Sequence, residues 1–296
     1  MSELPTIHKS GFVNIIGCPN VGKSTLLNAL VGERLAIITS KAQTTRHRIM
    51  GIVSGDNYQI VFSDTPGIIK PAYKLQEKMM AFVAEAFSDA DVFLFITDIF
   101  EDIELDEKYV ERLNKMNTPI LLLINKIDKA TPDQILLFMK KWNEKIPKAE
   151  IHPISALKNI NIDKIMERLI EMLPPGEAFY DKDTLTDKPE RFFVTEIIRE
   201  KILKNYKKEI PYSTEVVVEE FKEEKNIIRI RANIIIERDS QKGIIIGHKG
   251  EALKKTGTMA REEAEKFFGK KIFLELFVKV DKDWRSNDNR LKQYGY

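Results

Sequence analysis

Gly17-Cys18-Pro19-Asn20-Val21-Gly22-Lys23-Ser24-Thr25 satisfies every defined position of the phosphate-loop pattern G-x-x-x-x-G-K-[ST]. Residues 12–16 before it are apolar and β-branched, the composition of a buried strand. Residues 24–31 after it have helical composition, with Leu26, Leu27, Leu30 and Val31 on one side. Strand, glycine-rich turn and helix together turn the pattern into a mechanism. Gly17 and Gly22 let the backbone wrap an anion so that the N–H groups of the loop, Val21 and Thr25 included, face phosphate oxygens. The helix start adds the positive end of its dipole. Lys23 is expected on the β- and γ-phosphates and the Ser24 hydroxyl on Mg²⁺. The stretch implies a nucleoside-triphosphate site.

Working outward, residues 39–48 are polar, show neither helical nor strand periodicity, and lie between the first helix and a strand over 49–53. In a nucleotide switch this connection supplies a metal-binding hydroxyl. Thr45 is the first choice for that ligand and Thr44 the second. A strand over 58–62 runs into Ser63-Asp64-Thr65-Pro66-Gly67. Asp64 stands where a metal-holding carboxylate is needed, and Gly67 can offer its N–H to the γ-phosphate. The next expected elements are a helix over 75–87, a continuous apolar strand over 91–97, a helix over 104–116 and a strand over 120–124. That strand ends in Asn125-Lys126-Ile127-Asp128.

This N-K-x-D selects the base. The Asp128 carboxylate can accept from both N1–H and the exocyclic amino group of guanine; adenine has neither, and against it the carboxylate would be left buried and unpaired, so adenine is rejected. Asn125 would tie the loop to the phosphate loop, and the stem of Lys126 would cover the base. A helix over 132–146 and a strand over 150–154 lead to Ser155-Ala156-Leu157, whose backbone N–H groups could reach guanine O6. A helix over 160–172 stops at Pro174-Pro175-Gly176. Alternating strands and helices make residues 1–176 a doubly wound α/β domain. Residues 177–190 read as a polar linker with solvated charges at Asp181, Asp183 and Asp187.

Residues 191–296 change character. A helix over 191–206, strands over 215–221 and 227–237, a glycine-flanked segment, a helix over 251–267 and a strand over 272–280 precede Trp284 and a polar tail. Within the segment, Gly247-His248-Lys249-Gly250 sits between helices, where two glycines let the backbone approach a sugar-phosphate chain. Lys242, Lys249, Lys254 and Lys255 supply charge for phosphates, and residues 244–246, Ile245 and Ile246 among them, are candidates to line a groove under bases.

The 296 residues are long enough for two cores, 43% hydrophobic and 31% charged, with net charge +2. Residues 1–180 carry 21 basic against 23 acidic side chains, and residues 181–296 carry 26 against 22. The imbalance points to the second half as the place to look for a nucleic acid, without proving one. No apolar run approaches the ~20 residues that span a bilayer. Residues 1–10 lack the apolar core of a signal peptide. A single cysteine, Cys18, excludes an internal disulfide and fits a reducing compartment, so the cytoplasm is expected.

The four motifs in this order resemble the translation-factor class of phosphate-loop GTPases. The Pro19-Asn20 pair and Thr44-Thr45-Arg46 are similar to its TrmE–Era branch. Gly247–Gly250, in the element order α-β-β-α-α-β, looks like the GXXG loop of a bacterial-type (type II) KH domain. A GTPase domain followed by a KH domain resembles, across essentially the whole chain, the bacterial ribosome-assembly GTPases of that branch. Residues 44–48, 64–68, 125–128 and 247–250 carry the match. The resemblance implies GTP hydrolysis with Mg²⁺, with Lys23, Asn20 and Thr45 catalytic and Asn20 helping to place a potassium ion. It implies binding to the 3′ end of 16S ribosomal RNA in the small subunit and cytoplasmic residence, and it allows peripheral association with the inner membrane. Two residues depart from pattern. Ile68 stands where Ras-like enzymes place a water-orienting glutamine, so intrinsic turnover is expected to be slow. Cys18 replaces a residue that is often basic in the branch. The alternatives are an RNA-binding scaffold that holds GTP without useful turnover, and a tRNA-modification GTPase of the same branch.

Overall fold

The computed structural model describes residues 7–100 and 107–296. By contacts the chain divides into two units. The first is Met1–Ala36, Thr45–Lys70 and Met79–Asp187, and the second is Ile37–Thr44, Pro71–Lys78 and Lys188–Tyr296.

Among the described residues the first unit holds a six-stranded sheet. Its strands are β1 (Lys9–Ile16), β2 (Ile49–Ser54), β3 (Tyr58–Asp64), β4 (Val92–Asp98), β5 (Ile120–Asn125) and β6 (Glu150–Pro153), in the order β2-β3-β1-β4-β5-β6. Only β2 runs antiparallel to its neighbour. Every residue of β4 and β5 is buried, as continuous apolar runs covered on both faces require. The covering helices are α1 (Lys23–Val31), α2 (Lys74–Ala86), α3 (Glu107–Lys115), α4 (Pro132–Lys145) and α5 (Ile162–Met172). Residues 104–106 of the helix expected over 104–116, like residues 1–6, lie outside the described residues. α4 starts where its sequence says it should: Thr131 caps it in a box with Gln134, and Pro132 occupies the first turn. The parallel ladders bring the C-terminal ends of β1, β3, β4 and β5 to one edge (Ile15 pairs with Asp64 and Asp98 with Asn125), where ligands of such sheets bind.

The stretch expected as a linker is built into this unit up to Asp187. Gln59 Oε1 accepts from the N–H groups of Phe179 and Tyr180 at 2.7 and 2.9 Å. Leu185 O accepts from Ile52 N at 2.8 Å, and Thr186 and Asp187 bond the backbone of Met50. A polar stretch that runs along an edge strand finds its partners in that strand's free backbone groups.

In the second unit α6 (Glu190–Asn205), β7 (Glu215–Glu223), β8 (Ile227–Ile236), α7 (Asp239–Ile246), α8 (Glu251–Phe268) and β9 (Lys271–Val280) follow in the order α-β-β-α-α-β. The sheet order is β7-β8-β9, with β7 antiparallel and β9 parallel to β8. Alternate residues of β8, from Ile228 to Ile236, enter one core with Ile197, Ile198, Ile245 and Ala260. The apolar face of α6 is buried as its spacing predicts, and so is much of its charged face. Glu196 and Arg199 are buried and paired at 2.7 Å, as are Glu200 and Lys201. Burial opposes the charge on Arg199, yet the Glu196 carboxylate holds the guanidinium above its ordinary range. Its nitrogens also donate to the carbonyls of Gln43 and Thr44, which is why Ile37–Thr44 belongs to this unit. Pro71–Lys78 joins it through Lys74 with Asp288 and through Tyr73, whose ring lies 4.8 Å from the Arg285 guanidinium. The expected polar tail is structured: Trp284 is wholly buried, with Nε1 donating to Ser213 O at 3.1 Å, and α9 (Asp288–Gln293) buries Leu291.

Candidate functional site

The phosphate loop turns from β1 into α1 with Asn20 at φ 64° and Gly22 at φ 107°. A Cβ on Gly22 would stand 2.3 Å from Asn125 Nδ2, so only glycine lets the base loop close onto the phosphate loop. Lys23 is 6% exposed and donates to Gly17 O at 3.2 Å and Cys18 O at 2.7 Å, inside the cradle that its ammonium would leave for a phosphate. Val21 is wholly buried, Thr25 is half-buried in the first turn of α1, and the Asn20 side chain is exposed.

Three oxygen-bearing side chains converge beside this loop. Ser24 Oγ donates to Asp64 Oδ2 at 2.7 Å and lies 2.8 Å from Thr45 Oγ1, which is 3.1 Å from the same carboxylate oxygen. Asp64 is wholly buried, and its Oδ1 has no hydrogen-bond partner among the described residues. Burial pushes its carboxyl above the usual range, against the Lys23 ammonium and the hydroxyls of Ser24 and Thr45. One carboxylate with an unpartnered buried oxygen and two hydroxyls is a hard-oxygen donor set. It fits Mg²⁺, which takes few protein ligands and completes its shell with phosphate and water. Of the two threonines, Thr45 is the one brought to this cluster. Thr44 Oγ1 is engaged with Thr39 Oγ1 and Lys41 O, each at 2.6 Å.

Gly67 packs against Pro19, and Ile68 donates its N–H to Gly17 O at 3.1 Å. The Ile68 side chain is 8% exposed and points into the core with Val83, Phe95 and Leu122.

On the base side, Asn125 Nδ2 donates to Val21 O at 2.8 Å, and its Oδ1 accepts from Ala156 N at 3.0 Å. One buried amide thus ties together the phosphate loop, the base loop and the 155–157 turn. Lys126 Nζ donates to Asn20 O at 2.9 Å. Asp128 is exposed, and its Oδ1 accepts from Ser155 Oγ at 2.6 Å. The N–H groups of Ser155 and Ala156 donate to Ile160 O and Asn125 Oδ1, and Leu157 is exposed.

In the second unit α7 stops at Gly247, whose φ is 73°; a Cβ there would stand 2.6 Å from that of Ala252. Lys249 (φ 47°) and Gly250 (φ 81°) complete a left-handed turn into α8. His248, Lys249, Lys242, Lys254 and Lys255 are exposed, and Ile246 is half-buried. Ile245 is a correction: it is wholly buried in the core, and its carbonyl accepts from Tyr206 Oη at 2.7 Å. It cannot line a groove under bases because residues 243–246 are helical and Ile245 lies on the inward face of α7. An open groove of ≈ 360 Å³ lies elsewhere, along Gly250, Leu253, Lys254, Gly257, Arg261 and Leu276. Leu253, Gly257, Arg261 and Leu276 line this groove and are not singled out by the sequence. For the α8 residues a signal is present, since positions 253, 254, 257 and 261 form one helical stripe.

Fold and site together define a phosphate-loop GTPase joined to a KH domain. The 50S ribosome-binding GTPase family matches residues 12–126, and the KH domain family matches residues 209–285. The chain is 45% identical over 293 residues to GTPase Era of Staphylococcus epidermidis, covering 98% of both chains. It is 48% identical over 291 residues to GTPase Era of Syntrophus aciditrophicus, covering 97% of this chain and 95% of that one. It is similar to the crystal structure of Era in complex with MgGDPNP and nucleotides 1506–1542 of 16S ribosomal RNA (TM-score 0.93, 40% identity, 98% and 99% coverage). It is equally similar to that of a single-substitution variant of Aquifex aeolicus Era bound to GDP·AlF₄⁻ (TM-score 0.93, 40% identity, 97% and 99% coverage). The chain belongs to the Era family of GTPases, not to the tRNA-modification enzymes of the same branch.

Proposed function

We propose that this GTPase binds the 3′ end of 16S ribosomal RNA through its KH unit and acts in assembly of the small ribosomal subunit. The convergence of Ser24, Thr45 and Asp64 on one point beside the phosphate loop carries the nucleotide half of the reading. Those three residues would hold Mg²⁺, which when bound supplies charge neutralisation to the phosphate oxygens. Lys23 exchanges the carbonyls of its own loop for the β- and γ-phosphates. The exposed Asp128 accepts from guanine, and the base itself provides the burial that makes the selection strict. Ile68 lies in the core and moves no proton, so positioning and charge supply the catalysis and intrinsic turnover is slow. Asn20 supports a potassium ion beside the phosphates.

The left-handed turn at 247–250 and the groove along α8 support the RNA half, with Lys249 and Lys254 on backbone phosphates and the groove beneath the bases. The reading locates the protein in the cytoplasm on the small subunit, with peripheral attachment to the inner membrane as its extension. No helix among the described residues is long and apolar enough to cross a membrane. Single-turnover hydrolysis of GTP with and without a 16S 3′-terminal fragment, alongside titration of that fragment, tests both halves. RNA binding no tighter than to an unrelated single strand would sink the RNA assignment. Co-sedimentation with anionic vesicles tests the extension.

A further inference from the structure

The ammonium of Lys126 has two partners. One is Asn20 O in the phosphate loop, and the other is Asp98 Oδ2, at 2.5 Å. Asp98 ends β4 directly beside Asn125 in the parallel ladder, so it adjoins the base loop although it lies 28 residues before Lys126. It is 7% exposed. Its other oxygen, Oδ1, accepts from Phe100 N at 2.8 Å, and Ile99 N donates to Asn125 O at 3.2 Å. Backbone contacts thus fix the carboxylate on one side and aim it at Lys126 on the other. Asp98 has no hydrogen bond to the oxygen cluster of Ser24, Thr45 and Asp64.

We propose that Asp98 is a positioning residue for guanine-nucleotide binding, acting by locking the stem of Lys126 between the base loop and the phosphate loop. A free lysine stem carries rotamer entropy that must be lost when it packs over a base. The Lys126 backbone is also held at φ 66°, a conformation that persists only where neighbours over-determine it. An ion pair from a carboxylate this buried keeps the stem ordered before the nucleotide arrives, so the ordering cost is not charged to binding. The inference rests on the reading of Lys126 as a base-covering residue, and the test separates the two.

The dissociation rate of N-methylanthraniloyl-GDP from the full chain is measured for the parent, Asp98→Asn, Lys126→Ala and the double variant. Each single substitution should speed release about tenfold, and the double variant should exceed the faster single by no more than about twofold, because both remove one device. Unfolding by urea without nucleotide shows whether Asp98→Asn is folded, and Asp98→Ser takes its place if it is not. Release from Asp98→Asn at the parental rate overturns the inference alone. Multiplied effects in the double variant also overturn it, since a merely structural role for Asp98 would act independently of Lys126. An unchanged rate in Lys126→Ala overturns the inference together with the reading beneath it.

Discussion

Asp128 meets solvent, with one oxygen on the Ser155 hydroxyl and the other available to a base. Asp128→Asn replaces an acceptor by a donor, so GTP should be lost and xanthosine triphosphate gained. Removing one paired acceptor that the base has partly buried costs about 2–5 kcal/mol. Competitive displacement of a fluorescent guanine nucleotide measures this, and parental GTP affinity in the variant would refute the assignment. Asn20 offers a second test at this scale. Its side chain is exposed, at φ 64°, where it fills no core. Turnover should be faster in K⁺ than in Na⁺ at equal ionic strength, and Asn20→Ala should abolish the difference. Equal rates for the parent in the two salts would show that no potassium ion acts there.

The turn between α7 and α8 is the element to which the proposed RNA site is assigned. Replacing His248 and Lys249 together by aspartate keeps both glycines, and Lys249 already occupies a left-handed conformation that aspartate tolerates better than most residues. Negative charge then stands where phosphates approach. RNA affinity should drop by more than about tenfold, and the dependence of binding on salt should flatten as fewer counterions are released. Anisotropy titrations of a single-stranded 16S fragment at several salt concentrations give both quantities. Hydrolysis of GTP without RNA should remain near the parental rate, because the turn lies outside the unit that holds the phosphate loop. A folded variant that binds RNA like the parent would remove the turn from the RNA site.

At the scale of the molecule, the second unit is held by buried charge as well as by its apolar core. Arg199 is 1% exposed, pairs with Glu196, and donates to the carbonyls of Gln43 and Thr44. Arg199→Ala leaves Glu196 buried and unpaired, which costs about 3–5 kcal/mol. Replacing both by apolar residues removes the uncompensated charge and should restore most of that loss. Urea unfolding followed at Trp284, which lies wholly inside this unit, reads the change. A single variant as stable as the parent would mean that water reaches Glu196.

The sequence by itself determined what neighbouring residues encode. The phosphate loop, Asp64 at a strand end, the N-K-x-D loop and the GXXG turn are short strings whose chemistry depends on spacing along one segment. Helices followed from a period of 3.6 and the buried strands from continuous apolar runs, for the same reason. The tertiary structure decided what depends on groups far apart in the chain. Thr45 rather than Thr44 joins the oxygen cluster of Ser24 and Asp64 because its hydroxyl meets Asp64, 19 residues away. Ile245 belongs to the core because Tyr206 and β8 close over it, and an apolar triplet beside a glycine turn does not say which of its members faces inward. Residues 177–187 and the tail around Trp284 read as polar connections because their composition is polar. In the structure the Gln59 side chain accepts from Phe179 N and the Ser213 carbonyl accepts from Trp284 Nε1, contacts between distant residues that no local pattern records.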